Sequence, residues 1–383
     1  MRRRPRRRPG ARDPGRRSAL TTPAGTSTGG TAPAGHHPEQ VWLPASEGLL
    51  AWDEGFHDLM LGDTLRMNAF RTAITETVRP GDRVLDLGTG TGILARWALE
   101  AGAARVYGLD LGEDVLRTAT RRLAAAGYDA TRFIPVHGLS FDTELPERVD
   151  VVVSETIGNL ADNENAAAIL HDAHRRFLAP GGTMLPRRVE SYLVPVAAER
   201  AHAQLRGGAP QDLPDRRRFT ELLRRRGARD PFDLYYDVVI PLARHLAAPR
   251  IVRQYDLQSP DGAPRTSYQV ALAYTARRDG VLTGFKGYFV ATLSDTVALD
   301  ISGDDIAART ASDSWKHCYL PIAEPVPVRR GDRIVLSFSR SRPAGADTTF
   351  EQSYRWSGQV LGEDGTVARF AHGTGRHLDP ITN

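Results

Sequence analysis

Cysteine is almost missing from this chain of 383 residues: Cys318 stands alone. One thiol cannot close a disulfide within the chain or furnish a multi-cysteine metal site. Cys318 therefore reads as a small buried hydrophobe, and no metal is expected. Lysine is nearly as scarce, with Lys286 and Lys316 alone among 50 basic residues. So strong a bias to arginine is the mark of a GC-rich genome, not of phosphate recognition. No apolar run reaches the ~18 residues of a membrane span, so no membrane partner and a cytoplasmic location are expected. The chain has no internal repeat. Its hydrophobic and charged fractions, 41% and 25%, are ordinary for a globular protein, and its length suggests two folded domains.

The formal net charge of +4 is unevenly spread. The first 17 residues hold nine arginines against Asp13, a local charge of +8 that leaves the rest near −4. The tail continues to Gly35 in Ser, Thr, Gly, Ala and Pro and has nothing with which to build a core. A basic tail is either an arm drawn to nucleic acid or membrane or a disordered extension with an upstream start; the second is the expectation here, and nucleic acid is not an expected partner. No apolar segment follows the arginines, which argues against an export signal.

Beyond the tail, Phe56, Leu59, Met60, Leu65 and Phe70 are spaced for one apolar helix face and predict a helix over 54–77. Strands at 84–87, 106–110, 133–136 and 149–154 then alternate with helices at 93–101, 113–126 and 166–178, the last closed by Ala179-Pro-Gly-Gly182. Near-continuous apolar strands in a βα rhythm predict a parallel sheet covered on both faces. From about Arg187 the pattern changes to period two. Tyr268, Val270, Leu272 and Tyr274 alternate, as do Phe285, Gly287, Phe289, Ala291 and Leu293, and Ile334, Leu336 and Phe338. Such runs predict antiparallel β structure. An Arg-rich helical stretch lies between the halves at about 199–230.

The first strand runs into Asp86-Leu-Gly88-Thr-Gly90-Thr-Gly92. Glycines there leave no Cβ in the way and aim amides from the start of a helix toward a ligand. The next strand ends in Asp110, where a doubly wound sheet holds a ribose diol. A nucleoside-containing cofactor is implied. A dinucleotide fingerprint would need Gly or Ala at 93, where Ile93 stands, and a Walker loop would need a lysine. Asp86, Gly88, Gly90 and Gly92 instead resemble the first motif of S-adenosylmethionine-dependent methyltransferases, which makes S-adenosylmethionine the expected cofactor.

The segment after the fourth strand carries the second signal: Ser154-Glu155-Thr-Ile-Gly158-Asn159, then Asp162-Asn163-Glu164. Glu155 leaves the carboxyl end of a strand, where open α/β sheets bind ligands. Gly158 and Asn159 let the chain fold back, so Glu155 and Glu164 can converge. Two such carboxylates call for a guanidinium, whose planar fork of five donors engages both. The competing reading is that Asp162, Asn163 and Glu164 merely begin a helix.

The segment resembles the double-glutamate loop of the protein arginine methyltransferase family, and other stretches match that family in the same order over residues 55–342. Residues 55–66 resemble its cofactor-covering helix, which implies that Arg66 pairs with the cofactor's carboxylate and that Met60 packs near the sulfonium. Residues 178–186 resemble its link to a β-barrel domain. Ser314-Trp315 resembles its loop beside the substrate. The implied fold is an α/β Rossmann-like methyltransferase domain followed by an antiparallel β-barrel-like domain with an inserted helical arm. The expected boundaries are a disordered tail at 1–37, covering helices at 38–82, the cofactor domain at 83–186, and the barrel-like domain at 187–383 with a dimerisation arm at 199–230. A homodimer is implied.

Three departures qualify the match. Ser314 stands where the family has a histidine, so the usual dyad with an acid at Asp63 cannot form, and the odd offset of His317 turns that ring to the opposite face. The aromatic pair ahead of the covering helix is absent around Ala51 and Trp52. Phe141 falls near the place of the glutamate that reads adenine. The implied activity is methyl transfer to a guanidino nitrogen, with Glu155 and Glu164 catalytic and Ser314 and Trp315 bordering the acceptor. With these borders remodelled, free arginine or a small guanidino metabolite, as in related bacterial pathways, is preferred to a protein or peptide arginine. A non-catalytic cofactor-binding module is the alternative that the missing histidine favours.

Overall fold

The computed structural model describes residues 37–44, 60–259, 266–304, 315–342 and 352–374. The tail at 1–35, residues Phe56 and Leu59 of the expected first helix, and Ser314 lie outside the described residues.

After β1 (Val41–Trp42) comes α1 (Thr64–Thr77). A single helix over 54–77 does not form. Met60 and Leu61 are helical, but the chain turns at Gly62, and Asp63 stands in extended conformation as the cap of α1, accepting from the Arg66 N–H at 3.0 Å. Aspartate satisfies an otherwise orphaned amide at a helix start, and that local bond outweighs continuity of the apolar face. Phe70, Ala73 and Ile74 still point into the core.

The alternation that follows is as expected: β2 (Arg83–Leu87), α2 (Ile93–Glu100), β3 (Arg105–Asp110), α3 (Glu113–Ala125), β4 (Phe133–His137), β5 (Val149–Ser154), α4 (Ala166–Phe177) and β6 (Leu178–Leu185). The five strands pair in parallel in the order β4-β3-β2-β5-β6. Val84, Leu85, Val106, Val151, Val152 and Val153 are buried, as strands covered by helices require. The Pro-Gly-Gly run at 180–182 does not close a helix. It lies inside β6, where the register jumps from Val149↔Leu178 to Val151↔Thr183, and Gly181 takes φ +79°. An edge strand tolerates such a bulge because its outer side has no partner to lose.

The remaining elements are β7 (Arg188–Val196), α5 (Glu199–Gly207), α6 (Arg216–Arg226), β8 (Tyr236–Val238), β9 (Arg250–Asp256), β10 (Tyr268–Thr275), β11 (Gly280–Thr292), β12 (Ala298–Asp300), β13 (His317–Val328), β14 (Arg333–Ser341), β15 (Ser353–Gly362) and β16 (Gly365–Gly373). They do not close a barrel among the described residues. Seven strands form one antiparallel sheet along β1-β8-β13-β11-β7-β9, with β12 beside β11, and four form another in the order β10-β14-β15-β16. The sheets share a core: Leu193, Phe285 and Leu320 of the larger meet Leu272, Phe338 and Trp356 of the smaller. Burial between two faces satisfies the period-two pattern as well as closure does, which is why the pattern alone did not separate them.

Strands β10 and β14 alternate as expected. Strand β11 does not, because it is central; residues 282–289 are all buried. The Arg-rich stretch becomes two short helices, with Ala201, His202 and Leu205 of α5 and Phe219 and Leu223 of α6 turned inward. Cys318 is buried in the shared core.

Candidate active site

At the carboxyl edge of the parallel sheet the chain leaves β2 through the glycine loop. Gly92 caps α2 in the left-handed region, φ +86°, and a Cβ there would stand 3.1 Å from the Ala119 Cβ of α3. Only glycine combines that conformation with that closeness. Beneath the loop, fully buried Asp86 accepts from the Thr89 hydroxyl at 2.7 Å and the Ala95 N–H at 2.9 Å. Burial pushes its carboxyl up to about 7. Asp86 and Gly92 do not line the cavity; they hold the loop from behind, while Gly88 and Gly90 face it.

Asp110, at the end of β3, does face the cavity. Its two oxygens accept from Gly90 N–H and Gly112 N–H, each at 2.9 Å. A carboxylate has about four acceptor sites, so two remain for a diol. The wall after β4 is made by Gly138, Leu139 and Ser140. Phe141, the residue suspected there, is packed against the core instead. Leu139, two residues earlier and half-buried, lines the cavity in its stead.

Glu155 follows β5, and the loop to Glu164 folds back as expected. Gly158 and Ala161 form an isolated bridge, and a Cβ on Gly158 would overlap the Asn163 amide. Asn163 accepts from Leu160 N–H at 2.9 Å and donates to Asn159 at 3.0 Å. Asn159 in turn donates to Asp237 of β8 at 2.7 Å. Glu155 and Glu164 line one cavity of about 1440 Å³ with Met60, Arg66, Asp110 and Trp315.

Arg66, buried on α1, is ion-paired with Glu155 and lies 4.8 Å from the centroid of the Trp315 ring. Burial lowers its guanidinium to about 10, against the opposing pull of Asp63 and Glu164. Burial also lifts the Glu164 carboxyl to about 7, with Arg66 lowering it and Asp237 raising it. Trp315 donates its indole N–H to Ile157 O at 2.8 Å and packs edge-on to Phe289. His317 is fully buried and faces away, accepting from Ile240 N–H and donating to Ile301 O, each at 2.9 Å.

Asp237 is a lining residue that the sequence reading missed. It comes from another sheet, and its signal was a charged residue inside an apolar strand, Tyr236-Asp-Val238. The donor and acceptor set also suits the expected cofactor. The buried Arg66 Nε has no hydrogen-bond partner among the described residues, Arg66 can meet a carboxylate, and Asp110 can meet a ribose.

A glycine loop on a five-stranded parallel sheet, a ribose-type acid and a buried arginine around one cavity are the parts of a site for S-adenosylmethionine. Residues 84–182 match the family described as a methyltransferase domain, and 188–357 match one described as the PRMT5 oligomerisation domain. Similar chains include probable protein arginine N-methyltransferase 6.2 of Oryza sativa subsp. indica, 35% identical over 144 residues, 37% of this chain and 36% of that one. Protein arginine N-methyltransferase PRMT10 of Oryza sativa subsp. japonica is 34% identical over 148 residues, 38% of each. Among solved structures, a Trypanosoma brucei PRMT1 enzyme-prozyme heterotetrameric complex with AdoHcy aligns with TM-score 0.69 at 19% identity, over 84% of this chain and 98% of that one. Arabidopsis thaliana protein arginine methyltransferase 10 aligns with TM-score 0.66 at 21% identity, over 83% and 97%. In sequence and in fold the chain is similar to protein arginine methyltransferases. The stretches aligned in sequence span little more than a third of those curated relatives.

Proposed function

We propose that the protein transfers a methyl group from S-adenosylmethionine to a guanidino nitrogen of arginine. The observation that carries this reading is the convergence of Glu155 and Glu164 on one cavity, with a guanidinium, that of Arg66, already paired to Glu155. The bound cofactor supplies an electrophilic methyl on a sulfonium. The chain's task is to hold the acceptor nitrogen in line with that carbon. Glu155 and Glu164 grip the guanidinium and draw its charge away from the attacking nitrogen, which is electrostatic preorganisation. The acceptor nitrogen would gain the methyl group and give up one proton. Glu164, raised to about 7, is the carboxylate suited to receive it.

For the acceptor we favour free arginine or a small guanidino metabolite over an arginine in a protein. Ser314 in place of the family histidine and Asp237 as a further carboxylate acting on Glu164 support an altered acceptor site. The names of the relatives support the protein substrate. A homodimer built through 188–357 is the expected assembly, supported by the description of the matching family. A screen with labelled cofactor tests the reading, offering free arginine beside an arginine-rich peptide. Label on the small molecule is expected. Label on the peptide alone overturns the preference, and label on neither, with cofactor bound, overturns guanidino transfer.

A further inference from the structure

The loop that carries both glutamates is anchored at a point the reaction does not use. Asp162 is almost fully buried, two residues before Glu164 and away from the cavity lining. Its Oδ2 accepts from the Tyr255 hydroxyl at 2.6 Å and the Tyr268 hydroxyl at 2.8 Å. Its Oδ1 accepts from the Tyr354 hydroxyl at 3.2 Å and lies 3.6 Å from Arg340 Nε. Arg340 also donates to the Asp162 carbonyl at 3.0 Å and to Asn165 Oδ1 at 3.2 Å. The four partners come from β9, β10, β14 and β15, so both antiparallel sheets hold one carboxylate. A buried charge with that many donors is fully compensated and tightly located.

The backbone around it needs holding. Ala161 and Asn165, on either side of the Asp162–Glu164 tract, take φ +68° and +61°. Left-handed conformations at residues other than glycine persist only where the surroundings over-determine them. Here the surroundings are the four side chains on Asp162 and the Arg340 contact to Asn165.

We propose that Asp162 is a positioning residue: through Tyr255, Tyr268, Tyr354 and Arg340, the antiparallel sheets set where Glu164 stands relative to Glu155. The inference rests on the guanidino-transfer reading for its kinetic consequence, but not for its structural one. A methyl acceptor misplaced by about 1 Å loses about 10²-fold in rate.

The test uses the full chain with Asp162→Asn and, as a milder pair that keeps both rings, Tyr268→Phe and Tyr354→Phe. Hydrogen exchange of the 156–165 amides is measured with acceptor kcat and KM and with calorimetric affinity for S-adenosylhomocysteine. Asp162→Asn is expected to speed exchange at 158–165 at least tenfold while exchange of β2 and β3 stays put. Acceptor kcat is expected to fall about 10²-fold, cofactor affinity to hold within threefold, and the phenylalanine variants to fall between. Exchange unchanged at 158–165 overturns the proposal whatever the enzyme acts on. So does a kcat loss matched by an equal loss of cofactor affinity, which marks general damage and not positioning. If wild type transfers no methyl to any guanidine, the function reading fails while the exchange comparison still decides the role of Asp162.

Discussion

The two sides of the cavity are built by different means. The cofactor side is nearly all one stretch of chain, from Leu87 to Arg121 with a short wall after β4. Its grip is made of backbone: amides of a glycine loop, one of them tied to Asp110. The acceptor side is assembled from Glu155, Glu164, Asp237 and Trp315, drawn from the loop after β5, β8 and the approach to β13, with Arg66 of α1 at the border between the two sides. Its grip is made of buried charge. Backbone cradles depend on local conformation and tolerate variation outside the loop, whereas charge clusters depend on every partner that locates them. Substitutions should therefore separate donor binding from acceptor use.

The sharpest separation is expected at the glutamates. Glu155→Gln and Glu164→Gln should each lower kcat with a guanidino acceptor by about 10²–10³-fold, the range for losing one preorganised electrostatic group. Calorimetric affinity for S-adenosylhomocysteine should change only a few-fold. Equal losses of turnover and cofactor affinity would merge the two sides. Wild-type turnover in both variants would remove the guanidinium from the mechanism.

Next in size is the response to pH. Glu164 in the free protein sits at about 7, raised from an ordinary 4.5 by burial. Its ionised form is the one that grips a cation, so acceptor kcat/KM should rise about tenfold per unit up to about pH 7 and then level. Glu164→Gln should flatten that limb. On the donor side, Asp86 is also raised to about 7, from 3.8. A pH trend in cofactor affinity that survives Glu164→Gln therefore belongs to it. Both shifts disfavour the folded state as pH rises. The folded chain keeps protons that the unfolded chain has released, so their contribution is full below about pH 4 and is lost by about pH 7. Thermal melts across that range should show a shallower loss in either Asp86→Asn or Glu164→Gln.

What could be read from the sequence follows the same division. Strand β2, the glycine loop and Asp110 lie within 28 residues, where spacing and the freedom of glycine carry the information. The parallel sheet was equally legible, because buried strands and amphipathic helices have local signatures. Glu155 and Glu164 were legible as a pair through one loop. Their support was not: Tyr354 meets Asp162 from 192 residues away, and nothing near either residue announces the other. A bulged strand through Pro180 was missed for the same reason, because it is decided by its pairing with β5.

A smaller test keeps to the donor side. Gly92→Ala puts a Cβ into the left-handed region, which costs roughly 1–2 kcal/mol, and brings it 3.1 Å from Ala119. The loop should relax and cofactor affinity fall about tenfold, with acceptor KM unchanged. Gly88 is a poor substitute, because a Cβ there would stand 3.0 Å from Thr156, next to Glu155, and disturb both sides at once.

The smallest effect is expected where one hydrogen bond joins the acceptor side to the larger antiparallel sheet. Trp315→Phe keeps a ring to pack on Phe289 and to face Arg66 but removes the N–H that meets Ile157 O. That carbonyl lies two residues past Glu155, and losing a neutral hydrogen bond costs about 1 kcal/mol net. Acceptor kcat/KM should fall about fivefold, and cofactor affinity should move less than that. A larger drop in cofactor affinity than in acceptor use would make Trp315 a support for Arg66 on the donor side, and the line between the two halves would then run through the indole ring.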